Sequence, residues 1–319
     1  MKIIKFGGTA FQTPKLVDNI CKIIEREEKP LIVIVSAIGR RGFPFATDTL
    51  IESIKENYLS RKEFDRLLSL GEIYSSIFLS NTLNRKGINA YSLSYLELGI
   101  ECNDNYQEGN IVLVSNENIK VFSKKHDVLV IPGFIGNTKD NEVITLGRGA
   151  SDLSAIELGR VNKLNEVVLY KDVDGIYPSL FINLGKIKPY EKISYDEVLA
   201  LINIGFSPIN KKAIIEAKKD NIKIIVKNFI VNEIKTTISE QSSNRRIIGF
   251  NVDNNKVLVA TFEVEKVKEE LNQYLKNSHV YIKQEDEGND FFSFRVNTSQ
   301  LLLIRQIILK NYFFDMIKK

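Results

Sequence analysis

The sequence predicts an α/β protein with a three-layer αβα arrangement and a mainly parallel sheet, followed by a small α+β domain. Continuous apolar runs of strand length alternate with amphipathic helical segments, which is typical of a parallel sheet covered by helices on both faces. Towards the C-terminus the order changes to strand, helix, hairpin and helix. We therefore expect a large domain over residues 1–237 and a small domain over residues 247–319, with a polar linker at Thr236–Arg246.

The composition of the 319 residues excludes several classes of protein. With 44% hydrophobic and 26% charged residues, the chain can bury a full core. The net charge of +4 is too small for a dedicated nucleic-acid surface, and the basic residues are interspersed with acids. No apolar run approaches the roughly 20 residues that span a bilayer, and the N-terminus shows no secretory pattern. We therefore expect a soluble, cytoplasmic protein that binds neither nucleic acid nor a membrane.

Cysteine and histidine are scarce in this chain. Cys21 and Cys102 lack metal-ligand spacing, and so few cysteines suit a reducing compartment. His126 and His279 are the only histidines, which argues against a His-based triad or a zinc cluster. We expect no metal centre built from protein ligands.

The N-terminal segment has the pattern of a βαβ unit. Lys2–Phe6 is a short apolar strand, and a Gly7–Gly8 turn follows it. Thr13 before Pro14 is a strong helix start, and Leu31–Val35 is the next buried strand. The glycine pair matches neither the dinucleotide fingerprint nor the P-loop. A plain turn and a phosphate-binding turn therefore both remain open.

Two helices are predicted in the next segment. One begins within Ala46–Leu50, and a longer one covers Lys62–Asn84. Gly71, in the middle of the longer helix, costs about 1 kcal/mol relative to alanine, which indicates close packing or ligand approach. Periodicity alone predicts that the neighbouring Glu72 is a solvated surface acid.

The stretch Thr145–Asp152 (TLGRGASD) places Arg148 between two glycines. Ser151 is expected to cap the following helix, whose first N–H groups favour an anion. The Arg148 guanidinium adds a planar fork suited to a carboxylate or a phosphate. A tight turn that only joins a strand to a helix would show the same pattern, so both interpretations stay open here.

Further strands are expected at Val128–Ile131, Glu166–Tyr170 and Ile222–Val226, and helices at 194–204 and 209–219. Ligands of parallel sheets bind beyond the carboxyl ends of the strands. Several residues share that position and form a candidate site: Gly7, Gly8, Ser36, Gly133, Lys171 and Asp172.

The small domain is predicted to contain one sheet and two helices. An unpaired sheet edge is normally covered or paired. We therefore expect a homodimer in which Val257–Val264 or Val280–Lys283 meets its symmetry mate. The predicted elements are strand Lys256–Val264, helix Glu265–Asn277, a hairpin of Val280–Lys283 with Phe291–Val296, and helix Ser299–Asn311.

Seven short motifs occur in order along the large domain. They are Lys5–Thr9, Val35–Ala37, Ala46–Leu50, Gly71–Glu72, Gly133–Gly136, Thr145–Asp152 and Lys171–Tyr177. Together they resemble the motifs of the aspartate kinases within the amino-acid kinase family. The small domain resembles an ACT regulatory domain in its architecture only.

This resemblance implies the amino-acid kinase fold with an ACT-like C-terminal domain. It also implies transfer of the γ-phosphate of ATP to the β-carboxylate of L-aspartate, giving 4-phospho-L-aspartate. Mg²⁺ would accompany ATP and be held largely by phosphates and water. A carboxylate nucleophile is already ionised at neutral pH, so no general base is required. Catalysis would consist of positioning and charge neutralisation.

The resemblance further implies roles for individual residues. Lys5 and Asp152 would be catalytic: Lys5 would offset charge on the transferring phosphoryl group, and Asp152 would orient Lys5 and the metal shell. Arg148 would grip the α-carboxylate of aspartate, and Glu72 would bind its α-ammonium group. Thr47 and Ser151 would also contact the substrate, while the nucleotide site would comprise Lys5, Gly7, Gly8, Thr9, Ser36, Lys171, Asp172 and Tyr177.

Several positions depart from the family pattern, mostly on the nucleotide side. Lys171 stands where the family usually has threonine, Pro178–Phe181 replaces an Asp-Pro-Arg segment, and Gly205–Ser207 replaces a Gly-Ala-Lys segment. We expect Lys171, Lys211 or Lys212 to supply the lost positive charge. Two alternatives stay open: an amino-acid kinase that acts on glutamate or acetylglutamate, and a non-catalytic homologue that senses an amino acid.

Overall fold

The computed structural model describes residues 1–54, 58–179, 187–206, 209–231 and 235–317. The chain divides into two compact units. The first unit combines Met1–Asp174 with Lys212–Ile234, and the second combines Gly175–Lys211 with Lys235–Lys319. Each unit is therefore assembled from two separate segments. The continuous domain limits expected from the sequence, at residues 237 and 247, stay a prediction.

The first unit alternates strands and helices, as the sequence predicts. Its elements are β1 (Lys2–Phe6), α1 (Pro14–Arg26), β2 (Leu31–Val35), α2 (Thr47–Ser53), α3 (Arg61–Arg85), β3 (Ala90–Ser92), β4 (Ile100–Cys102), β5 (Ile111–Val114), α4 (Glu117–Phe122), β6 (Val128–Pro132), β7 (Ile135–Asn137), β8 (Val143–Thr145), α5 (Ser151–Val161) and β9 (Glu166–Lys171). After the first part of the second unit, α7 (Lys211–Lys219) and β11 (Lys223–Asn228) complete it.

A parallel sheet forms the middle layer of this unit. Its strands lie in the order β11-β9-β1-β2-β6-β3, and every neighbouring pair is parallel. Alternate residues point to opposite faces of a strand. Ile4 and Phe6 belong to the core that α1 and α3 cover, whereas Lys5 points to the other face and reaches Asp152 of α5. The three-layer αβα fold is confirmed.

A second, smaller sheet in this unit supports the segment that leads into α5. Its strand order is β5-β4-β7-β8, and β7 pairs with β8 in antiparallel register. Leu146, just after β8, donates its N–H to the carbonyl of Phe134 at 2.9 Å. The glycine turn before α5 therefore starts from a strand whose position the small sheet fixes.

The second unit contains a short parallel pair and a four-stranded antiparallel sheet. Strands β10 and β12 are parallel, and the antiparallel sheet has the order β13-β14-β16-β15. Its elements are β10 (Lys192–Ser194), α6 (Tyr195–Asn203), β12 (Lys235–Ser239), β13 (Gly249–Asp253), β14 (Lys256–Ala260), α8 (Val264–Asn277), β15 (Lys283–Glu287), β16 (Phe291–Arg295) and α9 (Leu301–Tyr312).

The expected linker at Thr236–Arg246 is wrong in its first part, because β12 occupies it. Thr236 and Ile238 are fully buried. The Thr236 hydroxyl donates to the carbonyl of Tyr190 at 2.6 Å and accepts from the N–H of Ile176 at 2.9 Å. A threonine whose hydroxyl is satisfied in this way can sit in a buried strand. The polar composition therefore indicated a loop where there is a strand.

The small antiparallel sheet also differs from the expected one. Strand β13 was not predicted, and β15 covers Lys283–Glu287 instead of Val280–Lys283. Every residue of β15 is exposed, so the strand lacks the alternating apolar pattern that marks half-buried strands. Strand β14 pairs with β13 on one side and β16 on the other. The expected edge at Val257–Val264 is therefore wrong, since that strand has no open edge.

Helix starts agree closely with the sequence. Thr13 is the N-cap of α1, and its hydroxyl accepts from the N–H of Leu16 at 3.3 Å. Ser194 and Glu197 form the expected capping box at α6. Glu197 is buried and also accepts hydrogen bonds from the N–H and the hydroxyl of Ser243. The capping residue of α6 thus also fixes the segment that follows β12.

Gly71 in α3 is a point of close packing. A Cβ atom at this position would lie 2.7 Å from the Cβ of Ala37 and 2.7 Å from the carbonyl oxygen of Phe45. Both neighbours belong to the loop between β2 and α2. The glycine therefore allows this loop to lie directly against the helix, which answers the packing question raised by the sequence.

We predict that Gly71→Ala lowers the free energy of unfolding by about 1 kcal/mol. Alanine gains up to about 1 kcal/mol in helix propensity, but overpacking against the loop costs about 1–3 kcal/mol. Urea denaturation followed by circular dichroism measures the difference. Leu70→Ala, at the exposed neighbouring position, is the control and should change stability little. Equal or higher stability of Gly71→Ala would contradict the packing argument.

Candidate active site

The loops after β1 and β2 approach each other closely at the carboxyl edge of the sheet. A Cβ atom at Gly8 would lie only 2.0 Å from the carbonyl oxygen of Ala37. The Gly39 N–H donates to the Gly8 carbonyl at 2.9 Å. No residue with a side chain fits at position 8 without moving this backbone. Thr9 follows within a short 3₁₀ turn.

Lys5, Asp152 and Lys171 form a buried charge cluster. The Lys5 Nζ atom donates to Asp152 Oδ1 at 2.8 Å, and Lys171 Nζ donates to both carboxylate oxygens at 2.9 and 2.8 Å. Burial alone would raise the pKa of Asp152, but the ammonium groups of Lys171 and Lys5 outweigh it and lower that pKa to about 2. Burial lowers the pKa of Lys171 to about 8 against the opposing effect of Asp152.

Three elements supply this cluster. Lys5 lies in β1, Asp152 lies in the first turn of α5, and Lys171 ends β9. Two ammonium groups share one carboxylate, so the cluster carries a net positive charge while Lys171 is protonated. Such a charge beside the half-buried glycine turn that follows β1 suits a polyphosphate. The sequence singled out all three residues, but it predicted their mutual contact only between Lys5 and Asp152.

Ser151 does not cap α5, contrary to expectation. The N-cap is Ala150, no side chain caps the helix, and Ser151 is the first helical residue. The Ser36 hydroxyl donates to the Ser151 hydroxyl at 3.0 Å instead. This contact joins the end of β2 to the start of α5. It turns the Ser151 hydroxyl towards the neighbouring strand and away from the capping position.

Glu72 is buried, so the interpretation as a surface acid is wrong. Its Oε1 atom accepts from the Ala37 N–H at 3.0 Å, while Oε2 finds no hydrogen-bond donor among the residues that the structure describes. Burial raises the pKa of Glu72 from 4.5 to about 8, although the Ala37 N–H and the charge of Lys5 lower it in part. The periodicity of α3 did not indicate this, because the loop over Gly71 covers a face that would otherwise be solvated.

Arg148 lies on the turn that the sequence predicted. Gly147 and Gly149 have φ values of +88° and +75°, which glycine adopts without strain. The Arg148 side chain is 77% exposed and pairs with Asp48 of α2 at 3.0 Å. Arg148, Glu72, Ser151 and Thr47 line one cavity of 370 Å³, together with Gly8, Thr9, Ser36, Ala37, Gly39, Arg40, Asp48, Phe134 and Gly149.

The nucleotide-side residues do not all come together within one unit. Asp172, after β9, pairs with Arg40 at 2.6 Å. Tyr177 is buried and belongs to the second unit. Lys211 and Lys212 are exposed. Ser207 and Leu180–Phe181, which carry two of the departures from the family pattern, lie outside the described residues.

Three charged residues near the cavity were not singled out from the sequence. Arg40 and Asp48 form exposed ion pairs with Asp172 and Arg148, and Asp65 is completely buried in α3. Asp48 lies within a motif quoted above, so that motif could have indicated it. No sequence pattern around Asp65 predicts its burial, because an acid near a helix start is usually solvated.

Within the described residues, no three or more His, Cys, Asp or Glu side chains are grouped so that they could hold a metal ion. Nor does any helix in that part of the chain combine the length and the apolar composition that crossing a membrane requires.

Comparison with known proteins identifies the family. The amino acid kinase family model matches residues 1–228, and this chain therefore belongs to the amino acid kinase family. Among its relatives, an aspartokinase of Geobacillus stearothermophilus is 31% identical over 244 residues, which cover 75% of this chain and 59% of that protein. An aspartokinase of Helicobacter pylori is 34% identical over 229 residues, or 70% of this chain and 55% of that protein. The chain thus spans less than two thirds of the length of these relatives.

A solved structure shares the fold. Aspartokinase III of E. coli, determined in complex with aspartate and ADP, superposes with a TM-score of 0.66 at 16% identity. The superposition covers 97% of this chain and 83% of that one. At this identity the likeness concerns the fold alone.

We predict that Glu72→Gln stabilises the protein at alkaline pH. Because the folded-state pKa of about 8 lies above 4.5, the contribution of Glu72 is most favourable below pH 4.5 and is lost as the pH rises through about 8. Glutamine mimics the protonated acid and does not titrate. Thermal denaturation should show nearly equal melting temperatures near pH 4.5 and a difference in favour of the variant that grows from there to pH 9. A difference that does not change with pH would contradict the raised pKa.

Proposed function

We propose that this chain is an aspartate kinase, which transfers the γ-phosphate of ATP to the β-carboxylate of L-aspartate. One observation carries the proposal: the 370 Å³ cavity is lined by a buried carboxylate, Glu72, and by a guanidinium, Arg148. An α-amino acid presents an ammonium group and a carboxylate, which complement this pair. The names of the relatives support the same substrate.

The amino-acid side of the cavity would bind aspartate through its α-groups. Glu72 would bind the α-ammonium group, which gives the unpaired Oε2 atom a donor. Arg148 would bind the α-carboxylate as a bidentate fork. The hydroxyls of Ser151 and Thr47, which line the same cavity, would add hydrogen bonds. Arg148 would have to leave Asp48, and an exposed pair of this kind is worth only about 0–1 kcal/mol.

The phosphate side would lie at the buried charge cluster. Lys5 would offset the charge on the transferring phosphoryl group, and Asp152 would hold Lys5 in place. The N–H groups of Gly7, Gly8 and Thr9 would hold phosphate oxygens. Ser36, Lys171 and Asp172 would complete the part of the nucleotide site that belongs to the first unit.

Mg²⁺ would accompany ATP and neutralise phosphate charge. The donor set fits an ion held mainly through phosphates and water, since Asp152 is the one carboxylate of the buried cluster and both of its oxygens accept from ammonium groups. In this arrangement the protein contributes positioning and positive charge, and the β-carboxylate of aspartate attacks without a general base.

A second candidate is a non-catalytic homologue that senses an amino acid. The exposed Arg40–Asp172 pair favours it, because Asp172 belongs to the expected nucleotide site. Such a protein would bind aspartate but not ATP with Mg²⁺. A kinase for glutamate or acetylglutamate is a further alternative within the same family.

A hydroxamate-trapping assay with aspartate, glutamate and acetylglutamate tests the proposal. The expected result is aspartyl hydroxamate formed with ATP and Mg²⁺, and its loss in Lys5→Ala. Product from glutamate or acetylglutamate but not from aspartate would refute the substrate. Calorimetry supplies the remaining test. Aspartate binding without ATP binding and without turnover would establish that the protein is a non-catalytic homologue that senses an amino acid.

We predict that Lys171→Met raises the KM for ATP by about tenfold or more, since a charge-assisted hydrogen bond contributes about 1.5–3 kcal/mol. The KM for aspartate should stay nearly unchanged. Because burial lowers the pKa of Lys171 to about 8, wild-type ATP affinity should also fall as the pH rises through that value. Steady-state kinetics measure both effects, and Lys212→Met is the exposed control. An unchanged KM for ATP would mean that Lys171 only anchors Asp152.

We also propose a homodimer, now through the edge strand β15. All five residues of this strand are exposed, and it pairs only with β16 within the sheet. Light scattering at micromolar concentration should give twice the chain mass, and Gln284→Pro should give the chain mass. Val112→Pro, in the edge strand β5 of the other unit, is the control. A wild-type monomer would contradict the dimer, and a dimeric Gln284→Pro would contradict this edge.

We propose the cytoplasm as the place of action. Cys21 and Cys102 are both buried free thiols, and burial raises the pKa of each, that of Cys102 to about 12. Thiols remain unpaired in reducing compartments. Cell fractionation with an antibody would check this location.

A further inference from the structure

Asp65 is a completely buried carboxylate near the start of α3. Its Oδ2 atom accepts from the N–H groups of Gln107 and Thr145 at 2.9 and 3.0 Å, and Oδ1 accepts from the Thr145 hydroxyl at 2.8 Å. A buried carboxylate is costly unless hydrogen bonds replace its water. These three bonds therefore define where the two backbone segments must lie relative to α3.

The two segments that Asp65 holds are a loop with an unusual backbone conformation at Gln107 and the end of β8 at Thr145. Gln107 has a φ of +76°, in the left-handed region that residues with side chains seldom adopt. The Gly109 N–H donates to the Thr145 carbonyl at 2.8 Å, so this loop and the end of β8 are also tied to each other. Asp65 is thus the common acceptor of a small backbone network.

Thr145 is the last residue of β8, and only Leu146 separates it from the glycine turn that carries Arg148. The turn itself contains Gly147 and Gly149, both at positive φ, and glycines allow a wide range of backbone conformations. The Arg148 side chain is mostly exposed. Its position consequently depends on how firmly the two ends of the turn are held. At one end the helix α5 begins, and at the other end stands Thr145.

The same residues line a second cavity of 590 Å³, next to the proposed aspartate site. Gln107 and Thr145 form part of its wall, and it shares Thr47, Phe134 and Arg148 with the first cavity. A shift of Thr145 would therefore move Arg148 relative to both cavities.

We propose that Asp65 is a positioning residue for Arg148, which it holds at the aspartate site by fixing Thr145 and Gln107. The inference rests on the proposed function, in which Arg148 binds the α-carboxylate. Among the described residues Asp65 is hydrogen-bonded to two backbone N–H groups and one hydroxyl, and it lines neither of the two cavities. Its removal should therefore affect aspartate binding far more than ATP binding.

Asp65→Leu in the full chain is the decisive variant. Leucine has nearly the same shape as aspartate but no hydrogen-bond acceptor, so the N–H groups of Gln107 and Thr145 and the Thr145 hydroxyl all lose their partner. The KM for aspartate should rise by about tenfold or more, because a misplaced charged contact loses most of its energy, while the KM for ATP should stay within about twofold. Asn84→Ala is the control: Asn84, also in α3, holds the Ala90 N–H and carbonyl at 2.9 and 2.8 Å, far from Arg148 in sequence.

A double-mutant cycle separates positioning from general stability. If Asp65 acts through Arg148, Asp65→Leu should raise the KM for aspartate in the wild-type background and have no further effect in Arg148→Ala. Equal effects in both backgrounds, or a parallel rise in both KM values, would overturn the inference. So would a lower melting temperature with unchanged kinetics. Should Asp65→Leu fail to fold, Thr145→Val removes only the hydroxyl donor and should raise the KM for aspartate several-fold.

The outcomes also distinguish this inference from the proposed function. If the wild type forms aspartyl hydroxamate and Asp65→Leu has wild-type kinetics, only the inference falls. If the wild type neither forms hydroxamate nor binds aspartate by calorimetry, the proposed function falls and the inference falls with it.

Discussion

The sharing of one buried carboxylate by two ammonium groups is the interaction on which the site depends. Asp152 receives Lys5 from β1 and Lys171 from β9, and it stands in the first turn of α5. An isolated charge in this position would be costly to bury, whereas paired charges are tolerated. The cluster therefore fixes the helix against two strands and leaves one positive charge in excess at the edge where the glycine turns lie. The same three side chains therefore determine both the packing of α5 against the sheet and the positive charge of the site.

Glu72 shows the opposite situation. Its carboxyl group is buried, one of its oxygens has no hydrogen-bond donor in the part of the chain that the structure describes, and burial raises its pKa. Such a group weakens the fold at alkaline pH, so packing alone does not explain a glutamate there. Ionisable groups with strongly shifted pKa values cluster at functional sites. A cationic ligand group would remove the energetic conflict, which is why the aspartate proposal accounts for a feature that a purely structural interpretation does not.

Local signals predicted much of this fold. The helix starts at Thr13 and Ser194 depend on capping by neighbouring residues, and uninterrupted apolar runs marked the central strands of the sheet. Elements whose burial depends on distant segments were missed. The polar strand β12 satisfies Thr236 through residues far along the chain, and the exposed β15 has no apolar pattern at all.

The site was predictable to a similar extent. Lys5 lies near the end of β1 and Lys171 ends β9, so the topology alone brings the two lysines to one edge of the sheet. Their protonation and burial were not predictable, because these depend on which loop covers which side chain. The loop from β2 to α2 buries Glu72, which the helical period placed at the surface. Asp65 likewise became visible only through its backbone partners, which lie 42 and 80 residues away in sequence.

Ionic strength should act unequally on the two sides of the cavity. The Arg148–Asp48 and Arg40–Asp172 pairs are exposed to solvent, and mobile ions screen charges of this kind within a Debye length of about 8 Å at physiological salt. The Lys5–Asp152–Lys171 cluster is enclosed by protein, so counterions cannot come between its members. Added salt would thus loosen the loop residues at the rim of the cavity while the buried cluster keeps its geometry. The protein thus combines exposed ion pairs, whose strength depends on the salt concentration, with a buried cluster, whose strength does not.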